Sequence, residues 1–245
     1  MAIFDDLQAE QDRLEQILLT LGEEQWTAAS GAQGWTVADV VLHLAQSEET
    51  VHASVTRRPV AVGIAAAPGG TVEDRAEAAV RAERGMPAAQ VLARWQRARS
   101  EALAALRAAD PGEPVQWVAG PLKPATLATT RLTEHWAHAL DITGPLGLPL
   151  PDTGRLHHVA WLAQRTLPYA MQLGGEEPAV VRCEVAAPDG SGLWSFGPDS
   201  AESVITGPAG DFCRVAVRRL DPDQSALQAS GPDGARAKRL LRTFA

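Results

Sequence analysis

The residues of this chain best suited to chemistry lie in the stretch RLTEHWAHALDI, where Glu134, His135 and His138 place one carboxylate and two imidazoles within five positions. On an α-helix, residues i and i+4 stand one above the other, so Glu134 and His138 can aim at one point while His135 is turned about 100° away. A metal held by that pair needs at least one more protein donor, because a catalytic zinc commonly has three protein ligands and one open position. His43 is the natural third. It sits among Val40, Val41 and Leu44, where an unpaired polar ring would be costly. His52 falls on the other side of the same predicted helix, toward solvent or a rim. The same residues also have an ordinary reading, as a surface Glu/His pair and a hydrogen-bonded core histidine, and spacing alone leaves both open.

Such a site needs helices to carry it. Phe4, Leu7, Leu14, Ile17, Leu18 and Leu21 recur at helical spacing and predict a first helix over 4–21. Thr36-Val-Ala-Asp39 has the form of a capping box and starts a second helix at Val37, running to about Val55. The segment 57–86 is loop-rich, with a short helix at 72–84, and would form a lid or rim. Pro87 opens a third helix that stops at DPGEP, and a fourth covers 125–142. Four such helices predict an antiparallel bundle, whose interior is where this architecture builds metal sites.

The stretch TGPLGLPLPDTG, residues 143–154, changes the composition and marks a boundary between domains 1–148 and 149–245. Beyond it come a helix at 155–173, strand-like AVVRCEVAA and GLWSFG, a helix at AGDFCRVAVRR, a short strand near ALQAS and a last helix from Asp233. The fold class is α+β, a helical bundle followed by a smaller α+β domain.

Bulk properties exclude several roles. A formal net charge of −8 over 245 residues, with no concentrated basic patch, argues against nucleic-acid binding. No run approaches the roughly 20 apolar residues of a membrane span, and the chain begins with acids rather than a basic and then apolar signal, so a cytoplasmic protein is expected. Cys183 and Cys213 are too few for a disulfide framework and read as buried small hydrophobes. The expected partner is a small molecule; nothing in the sequence sets an oligomeric state.

GWTVADVVLHLAQSE followed in order by RLTEHWAHALDI resembles the paired signature of the DinB-like metal-binding bundles, in particular the actinobacterial branch of the mycothiol-dependent maleylpyruvate isomerases. HHVAWLAQRTLPYA, WSFGP and ITGPAGDFCRVAVRR resemble the C-terminal domain of the same branch, so nearly the whole chain is covered. The resemblance implies a divalent metal, usually zinc, on His43, Glu134 and His138. It leaves His135 as an outer-layer or substrate-facing group and offers Asp141 as a partner that orients His138. It also implies an active-site arginine eight residues after an acid; counted from Asp211 this is Arg219, with Arg218 beside it, where the family has Gly-Arg. The ordinary role of both arginines is to complement a helix C-terminus. Trp35 and Trp136 flank the ligands in sequence, and packing is the ordinary role of each.

Zinc on two neutral imidazoles and one carboxylate keeps a positive charge and can lower the pKa of a bound water or thiol. No cysteine lies in these motifs, so a thiol would come from outside, and the resemblance implies mycothiol. The expected function is a zinc-dependent isomerase or S-transferase acting on a small, electrophilic, anionic substrate. Two alternatives stand beside it: a thiol-independent metal-dependent isomerase, cyclase or lyase of specialised metabolism, and a non-catalytic metal-binding module. A fourth protein ligand from His135 or His52 would favour the module.

Overall fold

The computed structural model describes residues 2–57, 70–118 and 120–243, and divides into two compact units, Met1–Pro149 and Leu150–Ala245. The first unit is helical: α1 (Ile3–Leu18), α2 (Glu23–Thr27), α3 (Val37–Val55), α4 (Val72–Glu83), α5 (Ala88–Ala108) and α6 (Pro124–Leu146). Four long helices close on one another through contacts of α3 with α5, α1 with α6, α1 with α5 and α3 with α6. Their directions follow from their ion pairs. Asp5 meets Arg107 while Asp12 and Glu15 meet Arg99, so α1 and α5 run antiparallel. His43 faces Glu134 while Glu48 faces Arg131, so α3 and α6 do too.

Local chemistry explains where these helices start and stop. The Thr36 hydroxyl accepts from the Asp39 N–H at 3.2 Å, and the Asp39 carboxylate accepts from the Thr36 N–H at 3.0 Å, closing the capping box that begins α3. Pro87 is the N-cap of α5, and Pro124 is the first residue of α6. Two expectations need correction. The first helix ends at Leu18 and a separate short helix, α2, follows. The fourth does not stop at 142 but continues through Gly144 and Pro145 to Leu146, ending at Gly147 in the left-handed conformation with φ 63°. Proline has no N–H to offer the carbonyl four residues back, and that carbonyl, of Asp141, accepts instead from the Gly31 N–H at 2.8 Å, so Pro145 is tolerated in the exposed last turn. The lid or rim expected over 57–86 is described only in part, as α4 and its flanks; 58–69 lie outside the described residues.

The second unit carries α7 (Leu156–Leu173), β1 (Val181–Ala186), β2 (Leu193–Phe196), β3 (Ser203–Pro208), α8 (Ala209–Ala216), β4 (Gln228–Ser230) and α9 (Gly234–Leu240). The sheet order is β2-β1-β3-β4, with β1 and β3 parallel and the outer pairs antiparallel. Buried Val181, Cys183 and Val185 alternate along β1, on a sheet covered by α7 and α8. Strand β3 has no expectation from sequence: only Val204 and Ile205 are apolar, and its central place between β1 and β4 makes it a strand. Both cysteines are free and fully buried, and burial pushes the Cys183 thiol up to about 12. Neither is a reactive thiol.

Candidate metal centre

The antiparallel pair α3 and α6 brings the three nominated donors together. His43, Glu134 and His138 each offer one ligand atom, and these atoms all lie within 4.8 Å of one another. Glu134 Oε2 is 3.3 Å from His138 Nε2 and 3.7 Å from His43 Nε2. The Glu134 and His138 side chains meet because they are one turn apart on α6, as helical geometry requires. His43 reaches them because Val40, Val41 and Leu44, all with no exposed surface, bury that face of α3. The side chains of His43 and His138 are 11% exposed and that of Glu134 22%, so the cluster is mostly dehydrated but not sealed.

Electrostatics sharpen what the cluster wants. His138 Nδ1 lies 2.9 Å from the Asp141 carboxylate, an acceptor, so Nδ1 carries the proton. Neutral His138 then turns an Nε2 lone pair toward the lone pairs of Glu134, an arrangement that needs a cation between them, whether a proton or a metal ion. Burial opposes charge on His138, but the bonds to Asp141 and Glu134 outweigh it and raise its pKa. Burial likewise works against the Glu134 carboxylate, yet His138, His43 and the charge of Arg131 hold it well below the usual range. Burial lowers His43, against the pull of Glu134, which favours the neutral imidazole that a metal takes. Two neutral imidazoles and one carboxylate are a donor set suited to zinc. Among the described residues the cluster contains these three donors and no fourth. Asp141→Asn should keep the side-chain shape but weaken the fixed tautomer, lowering metal affinity by about tenfold to a hundredfold in a competition titration.

His135 belongs to the layer behind the ligands. It is fully buried; its Nδ1 donates to the Arg131 carbonyl at 2.8 Å and its Nε2 accepts from the Trp95 indole at 3.2 Å. With both nitrogens engaged, the geometry supports the outer-layer role and not contact with substrate. Burial, then the Arg131 charge, pushes its pKa down to about 3. Beside it lies a pair that sequence reasoning missed, Arg131 Nε donating to Glu48 Oε1 at 2.9 Å with both side chains almost fully buried. The available signal was a charged residue on the buried face of each helix: Arg131 one turn before Glu134, and Glu48 on α3.

In the second unit, Arg218 is exposed and adopts φ 61°, the left-handed conformation usual for glycine just past a helix end. Arg219 N–H closes that end on the Arg214 carbonyl at 2.8 Å, and its Nη1 donates to the Val217 carbonyl at 2.6 Å. Arg218 thus stands in a backbone geometry that the Gly of a Gly-Arg pair would take without strain.

A helical unit with a His-Glu-His cluster, followed by an α+β unit, defines the class of this protein. Comparison with known proteins makes that class specific. The family described as "Mycothiol maleylpyruvate isomerase N-terminal domain" matches residues 7–143, and the chain belongs to this family. Two uncharacterized proteins of Mycobacterium tuberculosis, from strains CDC 1551 / Oshkosh and ATCC 25618 / H37Rv, are each 32% identical over 248 residues, covering 98% of this chain and 94% of their own. The crystal structures of mycothiol-dependent maleylpyruvate isomerase and of a mutant of it share the fold, each with TM-score 0.63 at 13% identity over 95% of this chain and 94% of theirs. No helix among the described residues is long and apolar enough to cross a membrane.

Proposed function

We propose that this chain is a metal-dependent enzyme of the maleylpyruvate isomerase type, using mycothiol or a similar thiol to isomerise, or to transfer the thiol to, a small electrophilic and anionic substrate. The observation that carries this reading is the three-donor cluster without a fourth protein donor among the described residues, in a chain of this family. A site meant only to hold an ion would be closed by a fourth ligand. Zinc, on His43, Glu134 and His138, supplies when bound a Lewis-acid centre that favours the thiolate form of an incoming thiol at neutral pH.

The chain's own residues supply the rest. Asp141 keeps the His138 proton on Nδ1, so that Nε2 presents its lone pair to the cluster. The thiol has to be external, because Cys183 and Cys213 are buried and held protonated. Arg219 is the proposed catalytic anion anchor, with its planar donors matched to a carboxylate or developing enolate, and Arg218 its neighbour in the backbone turn.

The reading is tested by metal content, thermal shift with mycothiol and other thiols, and turnover of maleylpyruvate with and without thiol. Zinc at one per chain, a rise in the unfolding midpoint with thiol and thiol-dependent turnover are expected. Metal uptake with no response to any thiol would transfer support to the thiol-independent alternative. Arg219→Ala should cut turnover by about a hundredfold, the size of losing one preorganised donor, while leaving metal content intact. Unchanged turnover in that variant would reduce Arg219 to its helix-terminus role.

A further inference from the structure

The donor cluster is flanked by an indole that metal ligation does not require. The Trp35 ring centroid lies 5.1 Å from that of His43 and 6.4 Å from that of His138, with the second pair inclined by only 25°. Its plane is set from several directions. Trp35 Nε1 donates to the Glu77 carboxylate on α4 at 2.5 Å. Its backbone N–H donates to the Ala32 carbonyl, and its own carbonyl accepts from the Ser30 N–H and hydroxyl. The loop is pinned beside the cluster by the Gly31 N–H, which donates to the Asp141 carbonyl at 2.8 Å. The approach at Gly31 is close: an added Cβ would lie 3.1 Å from the Cα and Oδ1 of Asp141, which would have to give by a few tenths of an ångström.

The core tryptophans of this unit differ. Trp26, Trp95 and Trp136 are buried, at 5%, 0% and 1% exposed, whereas Trp35, like Trp117, is half-buried, and Trp35 stands next to both histidines of the cluster. A tryptophan serving only the core gains by complete burial. One held in a fixed plane at the edge of a partly open polar cluster offers a π face to whatever enters. Such a face favours a flat, conjugated partner over a flexible saturated one.

We propose that Trp35, held in plane by Glu77, is a specificity-determining wall of the site that selects flat, unsaturated carboxylates over saturated ones of equal charge and length. This rests on the cluster being the reaction centre. Glu77, which also pairs with Arg81 at 3.7 Å and Arg84 at 3.9 Å, is a positioning residue that reaches the site through the indole N–H.

The test is calorimetric titration of the zinc-loaded full chain with fumarate and with succinate, which match in charge and chain length. The parent should bind fumarate more tightly. Trp35→Leu should weaken fumarate by about threefold to tenfold while changing succinate by less than about twofold, with zinc stoichiometry kept. Trp35→Phe, which keeps a ring, should retain most of the preference. Glu77→Ala should lose part of it and Glu77→Gln, which keeps an acceptor oxygen, should restore it. Should Trp35→Leu fail to fold, the Glu77 pair decides. A fumarate-to-succinate ratio unchanged in Trp35→Leu, or in Glu77→Ala where Trp35→Leu does not fold, overturns the proposal while zinc uptake leaves the functional reading standing. A zinc-loaded parent that shows no preference overturns it as well. Absence of zinc uptake overturns both.

Discussion

His43→Ala and His138→Ala are each expected to lower zinc affinity by at least about a hundredfold and to leave less than one ion per chain after dialysis. Removing an outer partner of a metal-bound histidine alone costs about tenfold to a hundredfold, and losing the ligand costs more. The two variants should differ in a second respect. His138 shares Asp141 and Glu134, so its loss leaves two carboxylates on α6 without the imidazole that both contact. His43 has only Glu134 among these groups, and no hydrogen-bond partner for its Nδ1 lies among the described residues. His138→Ala should therefore be the more destabilised of the two in the metal-free state, because uncompensated charge in a dehydrated site is the costlier loss. Glu134→Gln offers a complementary measurement: it keeps the side-chain shape and removes the charge, and should also lose tight binding. Competition against a chromophoric chelator reads all three, and stoichiometric zinc at parental affinity in both histidine variants would mean the ligands are wrongly assigned.

The second large effect is on acid stability and comes from His135. Its folded pKa is lowered to about 3 from an ordinary value of 6.5, so between these values the unfolded chain binds a proton that the folded chain refuses. Stability is then full above about pH 6.5 and falls as the pH drops toward 3. The whole span is worth about 5 kcal/mol, against a typical total of roughly 5–15 kcal/mol for a domain. Denaturant unfolding at pH 7 and pH 5, at equal metal load, should show a parent slope that His135→Gln, with no titratable ring, largely removes. Equal slopes in the two proteins would mean that His135 is protonated in place or that its layer hydrates readily. The variant should cost some stability at pH 7, because Trp95 Nε1 and the Arg131 carbonyl lose their partner.

What this sequence determined by itself is what depends on near neighbours in the chain. The start of α3 is a four-residue reciprocal bond between Thr36 and Asp39, and the proline at the opening of α5 acts on its own turn. The shared face of Glu134 and His138 follows from helical pitch alone. Even the nomination of His43 uses only its apolar neighbours and a motif in order. The helical half and the α+β half are legible for the same reason, since periodicity and a Pro/Gly-rich joint are local signals.

The tertiary structure decided what each face meets. His135 is one residue from Glu134, but its function as a buried strut depends on Trp95, which α5 delivers from 40 positions away. Glu48 and Arg131 are separated by 83 positions, and nothing local tells that two charged residues will be buried against each other. The Trp35 plane is set by Glu77, and β3 is a strand because β1 and β4 hold it on either side. In each case the interaction energy exists only after the loop between the partners has closed. Periodicity can say which residues leave water, while packing alone chooses the groups that replace it.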